Sequence, residues 1–185
     1  MPQPQRRRFD VREYYRMAES RILSPGERVE LIGGEIVEMG PIGSRHAACV
    51  NGLTELLVRG AGEAAMIAVQ NPVRISDLSE PQPDIAALRR RPDRYAEAHP
   101  GPDDVLLLIE VADASLPVDA GVKATLYAMA GIADYWIVDL EAGEVRVYRD
   151  PGQDGYQSIT THTPGETVRP LALPALEIAV DDIVP

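Results

Sequence analysis

Residues 105–112 read Val-Leu-Leu-Leu-Ile-Glu-Val-Ala, and this stretch decides the fold class. A nearly continuous apolar run of this length is typical of a central strand that is covered on both faces of a sheet. Glu110 interrupts the run, and an acidic side chain is rarely buried in such a strand without a partner or a function. The stretch therefore predicts the middle of a layered domain and, within it, a candidate functional carboxylate.

The sequence on either side predicts further strands and helices around that central strand. Apolar residues recur at helical spacing in three segments and cluster in shorter segments that are bounded by Gly, Pro and Asp. The expected helices cover residues 9–21, 45–59 and 118–130. The expected strands cover residues 65–70, 72–75, 84–88, 105–111, 134–138, 144–149 and 156–161. Together they predict an α/β (α+β mixed sheet) fold with helices packed on the faces of the sheet.

Turn and capping residues refine this prediction. Gly33-Gly34 separates two short apolar runs within residues 29–39, which predicts a β-hairpin. Ser44 is expected to cap the second helix. Residues 93–98 predict one short helix in an Arg- and Pro-rich loop, and the tail after Pro170 predicts a short edge strand.

The third predicted helix carries an apolar stripe. Val122, Leu126 and Met129 recur at helical spacing, and Gly131 follows as a stop signal. These three side chains are therefore expected to form the buried face of the helix.

Length and composition limit the class of protein. The chain has 185 residues, a single cysteine and a formal net charge of −11. Its length predicts one domain over residues 1–185, with residues 1–8 flexible. Cys49 cannot form an internal disulfide and is expected to be a buried thiol in a reducing compartment. The negative charge excludes a protein that holds nucleic acid through a broad basic surface. No targeting or membrane-spanning segment is visible, which predicts a cytoplasmic protein.

Arginine predominates among the basic residues: seventeen are arginine and only Lys123 is lysine. A lysine ammonium is a compact point charge on a flexible stem, whereas the arginine guanidinium is planar. Composition alone leaves two interpretations open: a chance survivor of arginine-rich coding, or a position that requires an ammonium group.

Asp84 and Glu110 are candidates for a metal site. Asp84 follows Pro-Gln-Pro and opens one predicted strand, and Glu110 lies at the far end of another. If these strands are neighbours, the two carboxylates converge at one edge of the sheet and present the hard oxygen ligands that Mg²⁺ prefers. Lys123 lies thirteen residues after Glu110, on the following predicted helix. Its ammonium can therefore point back to the strand end and hold an attacking water there.

These three residues resemble the site of a known nuclease superfamily. Asp84 after a proline, Glu110 in Ile-Glu-Val and the downstream Lys123 resemble the PD-(D/E)xK nucleases. In that superfamily the lysine normally stands two residues after the acid, and here that position is Ala112. The lysine of this chain has therefore moved to the helix.

A longer stretch resembles one branch of that superfamily. Residues 119–139 contain Asp-Ala-Gly-Val-Lys, Leu-Tyr-Ala, Gly-Ile and Tyr-Trp-Ile-Val-Asp, which are similar to the signature of the Uma-two family of putative restriction endonucleases. Residues 29–38, Ser44-Arg-His46, Gln70-Asn-Pro72 and residues 80–84 fit the same family in order. The resemblance thus covers most of the chain.

The resemblance implies a restriction-endonuclease-like core and hydrolysis of phosphodiester bonds, with DNA as the expected substrate. Mg²⁺ is the implied cofactor, with Mn²⁺ as a substitute and no organic cofactor. The implied metal ligands are Asp84, Glu110 and Val111. Lys123 would act on the attacking water, and Glu30 would support the site from the hairpin.

Several supporting residues keep two interpretations. Glu30 either supports the metal or is solvated, and His46 either contacts a phosphate and assists proton transfer or is a packing residue. Gln70 and Gln82 either bind substrate or water or face the solvent. Asp119, four residues before Lys123, predicts an exposed and weak helical ion pair or a partner that orients the lysine. Core packing is predicted for Tyr127, Tyr135 and Trp136.

Two other functions remain open at this point. A non-catalytic member of the fold would bind a nucleic acid or a protein, and a small-molecule phosphoesterase would fit the acidic charge better than a DNA-cutting enzyme does. A homodimer would reconcile the charge with DNA by joining two local basic strips. The retained acid, acid and lysine set favours the nuclease.

Overall fold

Ten strands are present in the computed structural model, which describes residues 6–113 and 115–184. They are β1 Val29–Ile32, β2 Glu35–Glu38, β3 Met66–Val69, β4 Ile85–Leu88, β5 Val105–Ala112, β6 Asp134–Asp139, β7 Glu144–Gly152, β8 Gly155–His162, β9 Thr167–Val168 and β10 Ile178–Ala179. Six of them form one sheet in the order β3-β4-β5-β6-β7-β8. β5 pairs with β6 in parallel and every other neighbouring pair is antiparallel, so the sheet is mixed as predicted.

Three longer helices accompany the sheet. Helix α1 is Val11–Glu19 and helix α2 is Ser44–Ala61. Helix α3 covers residues 116–129 in three consecutive segments: α-helical Leu116–Val118, π-helical Asp119–Lys123 and α-helical Ala124–Met129. Short 3₁₀ turns occur at Pro102–Asp104 and Val180–Asp182. Helix α3 provides the crossover that the parallel connection from β5 to β6 requires.

The apolar run at residues 105–112 is the central strand, as its composition predicts. Side chains alternate between the two faces of β5. Leu107, Ile109 and Val111 pack with helix α2 on one face, and Leu108 and Ala112 pack towards helix α3 on the other. Glu110 therefore lies on the α3 side of the sheet.

The hairpin formed by β1 and β2 lies outside the main sheet. Val29 pairs with Glu38 and Ile32 pairs with Glu35, so the turn falls at Gly33 and Gly34 as predicted. Both glycines have positive φ values, which side chains with a Cβ rarely adopt.

The buried face of helix α3 differs from the sequence prediction. Val122 and Met129 are more than half exposed, whereas Lys123, Tyr127 and Ala128 are buried against the sheet. The π-helical segment, in which the Ala124 N–H donates to the carbonyl five residues back, lies at the start of this face. The charged Lys123 faces inward because acidic partners receive it there.

Two other local predictions are wrong. Residues 72–75 form no sheet strand, because the Val73 N–H donates to the Pro81 carbonyl and the Arg74 N–H donates to the Pro100 carbonyl, so no single strand pairs with them. Residues 93–98 form turns rather than a helix, since Arg94 and Tyr95 both have positive φ values.

The N-cap of helix α2 and the two chain ends agree with the sequence prediction only in part. Gly43, not Ser44, is the N-cap of helix α2. The tail does form a short edge pairing, in which β10 pairs with β9. Of the segment expected to be flexible, residues 1–5 lie outside the described residues, while Arg7 pairs with Glu13 of helix α1. Within residues 6–113 and 115–184, every helix is too short or too polar to cross a membrane.

Candidate active site

A cavity of about 390 Å³ opens where β4 begins and β5 ends. The hairpin, the loop at residues 39–43, the start of helix α2 and the start of helix α3 form its walls. Its lining is acidic and includes six carboxylates: Glu30, Glu38, Asp84, Glu110, Asp113 and Asp119. Arg28, His46 and Lys123 are its basic side chains.

The strand register brings Asp84 and Glu110 together. Ile85 pairs with Ile109 across the antiparallel strands β4 and β5. One residue further in that register, Asp84 stands opposite Glu110, where the Cβ atoms of facing residues are about 5 Å apart. Both are buried, Asp84 at 9% exposure and Glu110 at 3%. The convergence predicted from the two strand ends is thus present in the structure.

Asp84 is held in its ionised form by three donors. The Val111 N–H donates to Oδ2 at 2.9 Å, His46 Nε2 lies 3.0 Å from Oδ2, and Gln70 Nε2 donates to Oδ1 at 3.2 Å. Burial opposes ionisation, but these hydrogen bonds outweigh it and lower the pKa of Asp84 below its usual value. Gln70 therefore does not simply face the solvent.

Proline at position 83 leaves the Val111 carbonyl without a strand partner. In the register set by Ile85 and Ile109, residue 83 would face Val111, but proline has no N–H to donate. The Val111 N–H on the same side of the strand donates to the Asp84 carboxylate. Because the N–H and C=O of one strand residue project to the same side, the Val111 carbonyl lies on the Asp84 side as well.

Glu110 is a buried acid, and one of its carboxylate oxygens accepts hydrogen bonds from two donors. Lys123 Nζ and the Tyr127 hydroxyl both donate to Oε1, each at 3.1 Å. Burial raises the pKa of Glu110 to about 8, and Lys123 offsets this only in part. A further cation near this carboxyl would favour its ionised form.

Lys123 lies inside a cage of three carboxylates. Its Nζ is 3.1 Å from Glu30 Oε1, 3.1 Å from Glu110 Oε1 and 3.8 Å from Asp119 Oδ1. Burial alone would lower the pKa of Lys123, but Glu110, Glu30 and Asp119 together raise it, so the ammonium form persists. The ion pair with Asp119 is buried, which corrects the expectation of an exposed helical pair.

Glu30 and Gln82 form the hairpin side of the cage. Glu30 is 3% exposed, so its solvated interpretation is wrong. Its Oε2 accepts the backbone N–H of Gln82 at 3.1 Å, and the Gln82 side chain donates to the Val29 carbonyl at 3.2 Å. Gln82 thus fixes the hairpin against the segment that precedes Asp84.

His46 belongs to the cavity as well. With Asp84 ionised, Nε2 is the donor of their shared hydrogen bond, and this contact raises the pKa of His46. Nδ1 is buried, and no partner for it lies among the residues that the structure describes. The imidazole of His46 thus contacts a site carboxylate directly, and its role in contacting a phosphate or assisting proton transfer stays a prediction.

Comparison with known proteins identifies the family of the chain. The Uma2 family model, described as "Putative restriction endonuclease", matches residues 11–181. The chain belongs to the Uma2 family. This confirms the resemblance drawn from residues 119–139.

A solved structure shares the fold of this Uma2 chain. It is described as "a putative nuclease belonging to DUF820 from Anabaena variabilis ATCC 29413" and is 16% identical in sequence. The match has a TM-score of 0.76 and covers 95% of this chain and 97% of the other. Comparison with curated proteins finds no match. The nuclease-like mixed α/β fold is thereby confirmed.

Tyr127 is a site residue of the Uma2 chain that the sequence interpretation assigned to packing. Its ring packs edge-on against Tyr135 at 5.0 Å between centroids, yet its hydroxyl donates to Glu110. The available signal was its position four residues after Lys123, which places both side chains on one face of the helix. Tyr135 and Trp136 are buried in the core as predicted, and the Tyr135 hydroxyl donates to the Asp119 carbonyl at 3.1 Å.

Proposed function

We propose that this Uma2 chain is a Mg²⁺-dependent endonuclease that hydrolyses phosphodiester bonds of DNA. The observation that carries the proposal is the meeting of Asp84, Glu110 and Lys123 in one acidic cavity, with Lys123 Nζ 3.1 Å from Glu110 Oε1. The family description, which names a restriction endonuclease, supports the same reaction class.

The residues present suit Mg²⁺. The donors are hard oxygens: the carboxylates of Asp84 and Glu110 and the carbonyl of Val111. Within the described residues no three His, Cys, Asp or Glu side chains form a metal-binding group, and Mg²⁺ commonly takes only one or two carboxylates together with water. The six carboxylates of the cavity also exceed its cationic side chains, a surplus that a divalent cation would reduce. Mn²⁺ accepts the same donors and is expected to substitute.

Each group of the chain has a role in the proposed reaction. When bound, the metal would polarise the phosphate and lower the pKa of a water molecule. Lys123 donates to the attacking water and stabilises the negative charge that develops on the phosphate oxygens. Its raised pKa makes it a donor rather than a general base. Glu30 and Asp119 keep the ammonium in place, and His46 and Gln70 orient the carboxylate of Asp84.

The decisive experiment compares site variants with a matched control. Supercoiled plasmid and single-stranded DNA are incubated with purified protein in Mg²⁺, in Mn²⁺ and in EDTA. We expect cutting that requires the cation and falls by at least about 100-fold in Asp84→Asn, Glu110→Gln and Lys123→Met. The control Glu55→Gln removes an exposed carboxylate of helix α2 and should cut like the wild type. Equal cutting in all variants would reject the site.

The net charge favours one second candidate, hydrolysis of a small phosphodiester, because a charge of −11 repels polyanions more strongly than small substrates. Bis(p-nitrophenyl) phosphate separates the two possibilities. Turnover of this ester with no cutting of DNA or RNA would favour the small-molecule enzyme. Light scattering with and without DNA tests the proposed homodimer, which would join two local basic strips.

A further inference from the structure

Arg28 differs from the other basic side chains of the cavity in its partners. Lys123 pairs with three carboxylates, and His46 hydrogen-bonds to Asp84. Arg28 takes part in no ion pair within the described residues, although six carboxylates line the same cavity. Its one side-chain hydrogen bond runs from Nη1 to the Gly40 carbonyl at 2.8 Å. A guanidinium has five N–H donors, so most of its capacity remains available.

The backbone around Arg28 fixes its position at the cavity wall. Arg28 directly precedes β1, and its carbonyl accepts the Met39 N–H at 2.8 Å, which closes the open end of the hairpin. The bond to Gly40 then ties the side chain to the loop at residues 39–43. The side chain is half-buried, and its charge acts on His46, whose pKa it lowers slightly against the larger effect of Asp84. The guanidinium is thus held near the His46–Asp84 pair before any ligand arrives.

An unpaired guanidinium in an acidic cavity suits an anionic ligand. Arginine presents parallel N–H donors that match the oxygens of a phosphate, and such charge-assisted bonds are stronger than neutral ones. The carboxylates of the cavity repel a phosphate, and a guanidinium with free donors at the wall reduces that repulsion.

We propose that Arg28 binds a non-bridging oxygen of the substrate phosphate that enters the cavity. This inference rests on the proposed nuclease function, and it makes Arg28 a substrate-binding residue on the wall formed by the hairpin. The contact would hold the phosphodiester in place while Lys123 acts from helix α3, which lines the same cavity.

Binding measurements test Arg28 apart from catalysis. The parent protein is Lys123→Met, which is expected not to cut nucleic acid. The probes are a fluorescein-labelled 20-nucleotide single strand and its duplex in Mg²⁺. Arg28→Gln removes the charge, and Arg28→Lys keeps the charge but not the planar fork. Arg59→Gln is the control, because Arg59 is exposed near the far end of helix α2, outside the cavity, and pairs with Glu55.

We expect Arg28→Gln to bind about tenfold more weakly than the parent at equal salt. The slope of log K against log[salt] should fall in magnitude by about 0.7 for the single strand and about 0.9 for the duplex, which corresponds to one lost phosphate contact. Arg28→Lys should keep the slope and lose affinity only several-fold. A purely structural role through the Gly40 contact would leave the slope unchanged.

The outcomes separate this inference from the nuclease function. If the parent binds nucleic acid and Arg28→Gln behaves like Arg59→Gln, the role of Arg28 is refuted while the nuclease remains. If the wild type neither binds nor cuts nucleic acid, the proposed function fails and the inference fails with it. Should Arg28→Gln unfold, as judged by circular dichroism, Arg28→Lys decides: an affinity equal to that of the parent would refute the role.

Discussion

The Tyr127 hydroxyl donates to Oε1 of Glu110, the same oxygen that accepts the ammonium of Lys123. Both contacts measure 3.1 Å, so one carboxylate oxygen is fixed by two donors from consecutive turns of helix α3. The other oxygen, Oε2, takes part in neither contact. Helix α3 therefore orients the proposed metal ligand as well as supplying the lysine.

Tyr127→Phe tests this orientation. The ring remains in the core, but Glu110 loses a donor, and loss of such an outer partner typically costs 10–100-fold in metal affinity or activity. We expect cutting to fall about tenfold and the Mg²⁺ concentration for half-maximal activity to rise. Tyr156→Phe is the control, because its hydroxyl donates at 2.9 Å to the Ile132 carbonyl, away from the carboxylates. Equal Mg²⁺ curves for the two variants would contradict the prediction.

Lys123→Met should separate catalysis from metal binding. Without the ammonium, Glu30, Glu110 and Asp119 repel one another, so the metal-free variant should lose about 3–5 kcal/mol of unfolding free energy. A divalent cation would relieve that repulsion more in the variant than in the wild type. Thermal melts should therefore show a larger Mg²⁺-induced rise in Tm for Lys123→Met, a variant that we expect not to cut DNA. A rise no larger than that of the wild type would count against a shared metal and lysine site.

His46 should matter through Asp84. His46→Ala removes the donor 3.0 Å from Oδ2, and we expect a 10–100-fold loss of cutting. His46→Gln places an amide donor in a similar position and should recover part of the loss. Cutting rates over pH 5–9 provide the measurement. Glu110 titrates in all three proteins, so the part of the pH dependence that the wild type shows and both variants lack reports the charge of His46. Identical rates for the Ala and Gln variants would show that the hydrogen bond is unimportant.

The unfolding free energy of the metal-free protein should fall as pH rises from about 5 to 8. Glu110 has an ordinary pKa of 4.5 and a pKa of about 8 when folded, so in this window the folded state holds a proton that the unfolded state has lost. One such proton changes the unfolding free energy by up to about 1.4 kcal/mol per pH unit. Asp84 does not contribute here, because its lowered pKa places its effect at more acidic pH.

Urea unfolding in EDTA at pH 5, 6, 7 and 8 measures this dependence. Glu110→Gln keeps the shape of the side chain without its titration, so its unfolding free energy should vary less over the same range. Asp119, whose pKa burial also raises, remains in both proteins and cancels in the comparison. Parallel curves for the wild type and Glu110→Gln would overturn the assignment.

The sequence was informative where one physical signal dominated. The apolar run at residues 105–112 predicts a strand buried on both faces, and β5 is that strand. Asp84 and Glu110 were found because acids are costly at the ends of such strands. Gly33-Gly34 predicts the hairpin turn because few other residues adopt its backbone angles.

The remaining features depend on contacts between distant segments. Tyr127 looks like any core aromatic until the position of Glu110 is known. The apolar spacing from Val122 to Met129 predicts a core face, but both side chains are exposed because the neighbouring face, which carries Lys123 and Tyr127, packs on the sheet. Residues 72–75 have the composition of a strand, but their hydrogen bonds go to two different segments.

The single lysine also provides a way to measure the local opening of helix α3. A lysine-specific endoprotease has one cleavage site in this sequence, after Lys123, and that side chain is only 7% exposed. The bond becomes accessible only when helix α3 leaves the sheet, so the rate of appearance of two fragments reports the free energy of that local opening. Any cation or nucleic acid strand that ties helix α3 to Glu110 should slow proteolysis after Lys123. Gel electrophoresis of the two fragments would then measure whether the cavity is occupied.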